Sequence, residues 1–301
     1  MKQRSAAIAD LLFAMCIWAV AGTSYKLFQA AGITLIVYFI VTRFFKMLSV
    51  IAIYKKQKLK HEPIKNWYEF FHIFLNAAFS VLTPVFFFIS LQYTTLSNTY
   101  FLAYTMPAWV LVFSVIFLKE HFSAKKAIAL CLTLLGIYII ARPEGITSIN
   151  PGVIFAILSA LSFTGDVITA RELKNYSYQT VSLYSNILQF MLFIPAVIAI
   201  GIPPQDNPLA LVALSVLGIM LGVASYAYYF ALEKIEASLA AIITLLELLA
   251  ASVLAFFLLG ESPAPTDYAG YVLILYSAII LVLRTPNIKN FERLLHIKMK
   301  H

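Results

Sequence analysis

Charged residues are scarce in this chain. Only 12% of its 301 residues are Asp, Glu, Lys or Arg, whereas about 25% is usual for a soluble globular domain. Hydrophobic residues make up 61%, and the mean hydropathy is +0.87. This composition excludes an ordinary soluble domain. The net charge of +8 does not indicate nucleic acid, because the basic residues lie at the ends of apolar runs, where anionic lipid headgroups account for them.

The residue patterns that carry most enzymatic and metal chemistry are also missing from the sequence. Cys16 and Cys131 lie inside separate apolar runs, which predicts neither a disulfide nor a metal site. The five histidines form no ligand cluster, and there is no Gly-rich phosphate loop or Ser/His/Asp arrangement. We therefore expect no enzyme, no cofactor, no metal and no ATP hydrolysis.

Long apolar runs are what the sequence does contain. A helix needs about 20 mainly apolar residues to cross a bilayer, so ten such helices use roughly 200 residues. The remaining residues suffice only for short loops and tails, not for a soluble domain. The predicted spans are 6–25, 33–54, 69–91, 97–118, 124–141, 151–171, 179–201, 209–231, 237–259 and 266–284.

The basic residues indicate how these spans are oriented. If both termini are cytoplasmic, 20 of the 22 Lys and Arg residues fall on the cytoplasmic side, and only Lys26 and Arg142 fall outside. Positive charge favours the cytoplasmic side during insertion, and shifting the count by one helix would destroy this asymmetry. We therefore predict a multi-pass protein of the cell inner (plasma) membrane, surrounded by lipid, with both termini in the cytoplasm.

The two halves of the chain resemble each other. A shift of 141 residues superposes Leu91 on Leu232, Ser97 on Ser238 and Glu120 on Glu261, and a shift near 146 places Arg43-Phe44 on Gln189-Phe190. Because each half has five spans, an odd number, the second half must be inverted relative to the first. Inverted repeats are typical of secondary transporters, which bind substrate near the bilayer midplane.

The predicted fold is therefore an all-α polytopic membrane protein with ten transmembrane helices in two inverted five-helix repeats. The first repeat takes residues 1–145, the second takes 146–286, and a basic cytoplasmic tail takes 287–301. Glu120 and Glu261 are expected to be helix-end groups that hold each repeat against its own loop.

Ionisable side chains inside predicted spans are candidates for function, because a charge at the bilayer centre costs about 2.5–3.5 kcal/mol on insertion scales. Glu247 lies near the middle of the ninth span and could bind a proton or a substrate amine, or pair with a buried base. We expect Arg43 to be its partner, with direct contact to a substrate carboxylate as the alternative, and Lys46 to snorkel toward the cytoplasm. Asp166 fits either a role in the pathway or a solvated ion pair with Arg171 at a helix end.

Aromatic and hydroxyl side chains concentrate in the fourth, eighth and ninth spans. The fourth span also contains Pro107, which frees a backbone carbonyl inside the membrane. Such side chains suit an amphipathic organic ligand, and ordinary helix packing is the alternative. The candidate binding residues from these spans are Tyr100, Tyr104, Trp109, Tyr226, Tyr229 and Thr244.

Several short motifs recur in a definite order. They are Trp18 in the first span, Arg43-Phe44-Phe45 in the second, Thr105-Met106-Pro107 leading to Phe117-Leu118-Lys119-Glu120, Leu246-Glu247 leading to Leu258-Leu259-Gly260-Glu261, and Gly270-Tyr271. In this order and spacing, the chain resembles the EamA-type, ten-helix branch of the drug/metabolite transporter superfamily over nearly its whole length.

The resemblance has implications and departures. It implies alternating-access export or exchange of small metabolites, amino acids or drugs through a cavity lined by spans one, three, four, six, eight and nine, with Trp18 in the lining. The family often has Gly after this Trp, where the chain has Ala19. Its ninth span commonly reads Leu-Glu-Pro, whereas this chain has Leu248 in place of the proline. We therefore expect an unkinked ninth helix.

Our functional hypothesis is a secondary active transporter that exports amino acids or similar small organic metabolites, with protons as the candidate coupling ion. Its expected partners are a small-molecule substrate and membrane lipids, and no nucleic acid or cofactor. A carboxylate or nucleotide-sugar transporter, a membrane enzyme acting on lipid and a non-transporting scaffold remain alternatives. The sequence does not indicate the oligomeric state.

Overall fold

The computed structural model describes residues 2–57, 64, 66–143, 150–173, 176–260 and 262–282. Within these residues the regular structure is entirely α-helical, and nine helices are long and apolar enough to cross a membrane. A shorter apolar helix, Asp267–Val282, follows them. The predicted all-α polytopic fold is confirmed. Glu261 and the predicted tail 287–301 lie outside the described residues.

Twelve helices make up the described structure, because the fourth and ninth predicted spans are each divided in two. In chain order they are α1 (Lys2–Ala30), α2 (Leu35–Lys56), α3 (Trp67–Ser90), α4 (Leu96–Ala103), α5 (Met106–Phe117), α6 (Ala124–Ala141), α7 (Pro151–Glu172), α8 (Tyr178–Ile200), α9 (Pro208–Lys234), α10 (Ala237–Thr244), α11 (Leu246–Leu259) and α12 (Asp267–Val282).

Polar caps explain where several helices begin. The side chains of Asn66, Ser123, Asn150, Ser177 and Asn207 each accept a hydrogen bond from the backbone N–H three residues further on. The first N–H groups of a helix have no partner within the helix, and a short polar side chain supplies one. These residues therefore end the loops and start the apolar helices within a few residues of the predicted boundaries.

The helices pack in a pattern that is preserved when the two halves are exchanged. Helix α3 packs on α7, and its counterpart α9 packs on α1. Helix α2 packs on α9, and α8 packs on α3; α6 packs on α12, and α2 on α8. This pattern supports the arrangement of the chain as two related five-span halves.

The turns that follow the fourth and ninth spans each contain one residue with a left-handed backbone conformation. Lys119 has φ 54° and Gly260 has φ 69°, and the 141-residue shift superposes these two positions. Glycine adopts this conformation readily, whereas lysine does so at a cost of roughly 1–2 kcal/mol. The same turn is therefore built at equivalent positions from different residues.

The break in the fourth span lies at Tyr104 and Thr105. Both residues have turn-like dihedral angles, and the Thr105 N–H donates to the carbonyl of Leu102, three residues back. Pro107 has no N–H with which to continue the regular helical ladder. The proline noted in the sequence thus coincides with a divided span.

The ninth span is also divided, so the prediction of an unkinked helix is wrong. The break lies at Leu245, whose N–H donates to the carbonyl of Ile242 at 3.2 Å. In the preceding turn the hydroxyl of Thr244 donates to the carbonyl of Ala240 at 2.9 Å. Threonine hydroxyls donate one turn back in the unbroken helices α2, α3 and α7 as well, so this bond accompanies the break and does not by itself cause it. The ninth span is divided although it contains no proline. Leu248 therefore does not prevent the break.

Glycine permits the closest contact between α9 and α2. A Cβ atom at Gly222 would lie 2.6 Å from Cβ of Ser49 and 2.7 Å from the carbonyl oxygen of Lys46. A Cβ atom at Gly22 would have nothing within 4 Å. A side chain at position 222 would therefore clash with α2, whereas position 22 has room for one.

We expect Gly222→Ala to lower the thermal unfolding temperature in detergent, because overpacking at this contact costs about 1–3 kcal/mol. Gly22→Ala is the matched control. It should leave the temperature unchanged or raise it, because alanine favours the helix by up to about 1 kcal/mol. Equal shifts for the two variants would contradict the close packing of α9 on α2.

Candidate functional site

A cavity of about 340 Å³ lies between the two halves. This volume is in the range of sites for small organic ligands, about 300–1,000 Å³. Its aromatic lining consists of Trp18, Tyr25, Tyr38, Phe39, Phe87, Phe88, Tyr100, Tyr104, Phe163, Tyr228 and Tyr229. The cavity thus combines apolar ring faces with phenolic hydroxyl groups.

Contacts between rings hold these aromatic side chains in place. The rings of Tyr100 and Tyr104 are stacked with centroids 5.5 Å apart. Those of Trp18 and Tyr228 are 5.1 Å apart, which joins the first and eighth spans across the cavity wall. Such pairs add about 0.5–1.5 kcal/mol beyond the area they bury. The aromatic wall is therefore a packed surface shared by both halves.

Asp166 is the most buried charged residue of the cavity, with 5% of its surface exposed. Its Oδ1 accepts hydrogen bonds from Asn76 at 2.8 Å and Ser80 at 2.6 Å, and its Oδ2 accepts one from Tyr228 at 3.0 Å. Three neutral donors therefore replace the water that a carboxylate loses on burial. The alternative of a solvated ion pair with Arg171 is wrong.

Arg171 has partners of its own. It donates to the backbone carbonyls of Leu232 at 2.8 Å and Glu233 at 2.6 Å, at the end of α9. The C-terminal carbonyls of a helix carry partial negative charge, which a guanidinium stabilises. Arg171 thus joins two helices of the second half.

Asn76 extends the polar network to the seventh and eighth spans. Its side-chain oxygen accepts hydrogen bonds from Ser185 and Tyr229, both at 2.7 Å. Asn76 is fully buried, and its amide donates to Asp166 while its oxygen accepts from these hydroxyls. One neutral amide thereby connects helices α3, α7, α8 and α9.

Arg43 and Lys46 form a cationic cluster with Gln189. The side-chain oxygen of Gln189 accepts from Arg43 at 2.5 Å and from Lys46 at 3.0 Å. Arg43 also donates to the backbone carbonyl of Ser80 at 3.3 Å. Lys46 lines the cavity, so the prediction that it snorkels toward the cytoplasm is wrong. A buried amide holds it in the interior instead.

Glu247 lines the cavity apart from that cluster. It lies in the first turn of α11, directly after the break at Leu245. The partial positive charge of a helix N-terminus stabilises a carboxylate there. The predicted pair with Arg43 is not formed, because Arg43 is bound to Gln189 and Ser80. Glu247 has no hydrogen bond or ion pair to any other described residue.

Most of the predicted site residues meet in this cavity. Those that line it are Trp18, Tyr100, Tyr104, Tyr229, Thr244, Arg43, Asp166 and Glu247. Trp109 and Tyr226 do not. Trp109 lies beyond the break in the fourth span, with its ring 6.5 Å from that of Phe113. The hydroxyl of Tyr226 donates to Gln57 at the end of α2.

The residues missed from the sequence come mainly from the third and second spans. The second and seventh spans line the cavity in addition to the six expected ones. Tyr38 and Gln189 are the clearest examples. A signal for Gln189 was present in the shift near 146 residues, which superposes it on Arg43. The two equivalent residues contact each other in the structure, as expected for positions close to the axis relating the halves.

A second charged cluster joins the two halves away from the cavity. The carboxylate of Glu120 accepts hydrogen bonds from the backbone N–H of Ala237 at 2.6 Å and the hydroxyl of Ser238 at 2.7 Å. Lys126 lies 3.3 Å from Glu120 and 2.8 Å from Glu236. Glu120 therefore caps the start of α10 in the other half. Glu120 also pairs with Lys126 of its own repeat, so the predicted role within its own repeat covers only part of its contacts.

The environment of Glu120 favours its charged form. Burial alone would raise the pKa of this carboxyl, but the hydrogen bonds from Ser238 and Ala237 and the ammonium of Lys126 outweigh burial and hold the pKa below its usual value. The cap is thus strongest when Glu120 is ionised.

Comparison with known proteins defines the family. A profile of the EamA-like transporter family matches residues 6–142 and again residues 150–283. The chain belongs to this family. The resemblance inferred from the motifs is confirmed.

Individual relatives are more distant. The chain is 25% identical over 184 residues to an S-adenosylmethionine uptake transporter of Rickettsia prowazekii (strain Madrid E), and the match covers 60% of each protein. It is 26% identical over 217 residues to an uncharacterized transporter of Archaeoglobus fulgidus (strain ATCC 49558 / DSM 4304 / JCM 9628 / NBRC 100126 / VC-16), covering 68% of this chain and 73% of that protein. A protein of known crystal structure shares the fold with a TM-score of 0.77 at 15% identity, over 92% of this chain and 98% of its own.

We expect Glu120→Gln to lower the unfolding temperature at neutral pH, because the amide is a weaker acceptor for the start of α10. The folded-state pKa of Glu120 lies below its usual value, so its contribution is present above that value and is lost as the pH falls through the folded-state pKa. The difference between the thermal melts of the two proteins should therefore shrink as the pH falls below the ordinary pKa of a glutamate, about 4.3, and vanish below the folded-state pKa of Glu120.

The exposed Asp206 provides the control for this comparison. Asp206→Asn removes a carboxylate that caps no helix of the other half, and it should leave the unfolding temperature unchanged at every pH. A difference between wild type and Glu120→Gln that stays constant down to acidic pH would contradict the ionised cap.

Proposed function

We propose that this chain is a secondary active transporter that exports small amino-acid-type metabolites by alternating access. The observation that carries the proposal is the set of four ionisable residues, Arg43, Lys46, Asp166 and Glu247, in one aromatic cavity between the halves. Charges at this depth are costly and occur where a substrate or ion passes. The proposed setting is the inner (plasma) membrane, with both termini cytoplasmic and repeats at 1–145 and 146–286.

Contacts between the halves support a mechanism in which access alternates. Glu120 of the first half bonds to Ser238 of the second, and Arg142 of the first half bonds to Asp267 of the second at 2.5 Å. In transporters with inverted repeats, one half rocks against the other around a fixed central site. The breaks in the fourth and ninth spans provide bends next to the cavity.

Glu247 is the proposed site of coupling. A carboxylate without a protein partner can bind either a proton or a substrate ammonium, and the two compete for it. Exchange of one for the other would link the outward movement of the substrate to the inward movement of a proton. This competition favours proton-coupled export over a mechanism in which Glu247 only stabilises the fold.

The substrate class is proposed from the cavity and from the relatives. Aromatic walls suit the apolar part of an organic molecule. The presence of both acids and bases in the lining suits the ammonium and carboxylate of an amino acid. Relatives named S-adenosylmethionine uptake transporters suggest that compound as a candidate, because it joins an amino-acid group to a cationic sulfonium and a purine. Polyanions such as nucleotide sugars fit less well, because the lining contains as many acids as bases.

The test is transport by full-length protein in proteoliposomes of both orientations. Labelled probes are the common amino acids, S-adenosylmethionine, a nucleotide sugar and a dicarboxylate, each with and without an imposed pH gradient. We expect saturable, gradient-dependent transport of at least one probe and a loss of at least about tenfold in Glu247→Gln, since charged hydrogen bonds contribute about 1.5–3 kcal/mol. Val253→Ala, at an exposed position of the same helix, is the matched control.

Different outcomes would contradict different parts of the proposal. Gradient-independent transport that survives in Glu247→Gln would exclude coupling through this residue. Transport of nucleotide sugars or dicarboxylates, with none of the amino-acid probes moved, would exclude the proposed substrate class. If correctly folded protein transports none of the probes, the result would favour a non-transporting scaffold.

A further inference from the structure

The amide nitrogen of Gln189 is an unusual feature of the cavity. Gln189 is 1% exposed and lines the cavity, yet its Nε2 is buried with no hydrogen-bond partner in the part of the chain that the structure describes. Most buried polar atoms in proteins are paired, because an unpaired donor loses its hydration without compensation. This donor therefore points to a missing acceptor.

The neighbours of Gln189 fix the direction of its amide. Arg43 and Lys46 both donate to its Oε1. Reversing the amide would direct two N–H donors at two cations, which have no acceptor to offer. The orientation of the Gln189 amide is therefore fixed. Its Nε2 is an unpaired hydrogen-bond donor that lies beside two positive charges.

The positive charges of Arg43 and Lys46 are not matched by direct ion pairs. Neither residue forms a salt bridge within the described chain, and the two oxygens of Asp166 are bonded to the neutral donors Asn76, Ser80 and Tyr228. Arg43 has neutral oxygens of Gln189 and Ser80 as its acceptors. Two cations and an amide donor thus lack an anion that they could bind directly.

We propose that Gln189, together with Arg43 and Lys46, forms the subsite for a substrate carboxylate, and that Glu247 binds a cationic group of the same molecule. The substrate would then be a zwitterion with an apolar or aromatic body. This inference rests on the proposed transport function and assigns the two ends of the substrate within the cavity.

The charge balance of the cavity agrees with a zwitterion. The lining contains two bases, Arg43 and Lys46, and two acids, Asp166 and Glu247. A ligand with one positive and one negative group leaves this balance unchanged. A simple anion or a simple cation would add an unmatched charge at bilayer depth, which is unfavourable.

The first test compares ligands that differ by one charged group. Binding to the full-length wild-type protein in detergent is measured for the common amino acids and S-adenosylmethionine. For each ligand that binds, the analogue without the carboxylate and the analogue without the amine are measured as well, for example tryptophan with tryptamine and indole-3-propionate. We expect each analogue to bind at least about tenfold more weakly than its zwitterion.

The second test uses Gln189→Glu. This variant keeps an oxygen acceptor for Arg43 and Lys46, so the cluster and the fold are retained, but it replaces the free donor with a negative charge. Affinity for the zwitterion should fall at least about tenfold, while affinity for the analogue without the carboxylate should stay the same or rise. A merely structural role of Gln189 would weaken all ligands alike.

Two further variants complete the comparison. Glu247→Gln should weaken the zwitterion at least about tenfold and leave the analogue without the amine unchanged. Met191→Leu changes an exposed residue of the same helix as Gln189 and should alter no affinity.

The results separate this inference from the proposed function. If a zwitterion is transported but Gln189→Glu binds it normally or weakens every analogue equally, the carboxylate subsite is overturned while the transporter stands. Equal binding of the zwitterion and its analogue without the carboxylate would overturn it as well. If no probe of any class is bound or transported, both the inference and the proposed function are overturned.

Discussion

The cost of placing charge inside a bilayer is the constraint on which the centre of this structure depends. Asp166 is tolerated there because Asn76 and Ser80 of the third span and Tyr228 of the eighth span donate to it. The helices can satisfy Asp166 only when they pack around it, so the polar network and the assembly of the two halves require each other. Neutral amides and hydroxyls, rather than ion pairs, provide the hydrogen bonds that stabilise Asp166.

The repeat explains where the cavity and its special features lie. Arg43 and Gln189 are equivalent positions that contact each other, and the broken fourth and ninth spans are equivalent helices that both border the cavity. At the first pair the two halves differ in chemistry, with a cation, Arg43, in one half and an amide, Gln189, in the other. That asymmetry gives the cavity a cationic region at Gln189 and a separate acid at Glu247.

The sequence was sufficient for the parts of the fold that depend on hydropathy and spacing. The apolar runs predicted the spans closely, and the motifs predicted the family. Helix breaks were harder to predict, because the ninth span is divided at Leu245 without any proline. The same difficulty misplaced Trp109, which lies beyond the unpredicted break at Tyr104 and Thr105. The partners of charged residues could not be predicted from the sequence. Tertiary packing decides that Arg43 contacts Gln189 rather than Glu247.

The central claim is that the two halves must separate at Glu120 and Ser238 for substrate to pass between them. The most direct measurement is transport after cross-linking Glu120→Cys to Ser238→Cys with a short bifunctional thiol reagent, in a background where Cys16 and Cys131, both exposed, are replaced by alanine. The account predicts that transport stops on cross-linking and returns after the link is cleaved, while each single-cysteine variant remains active. Undiminished transport by fully cross-linked protein would contradict it.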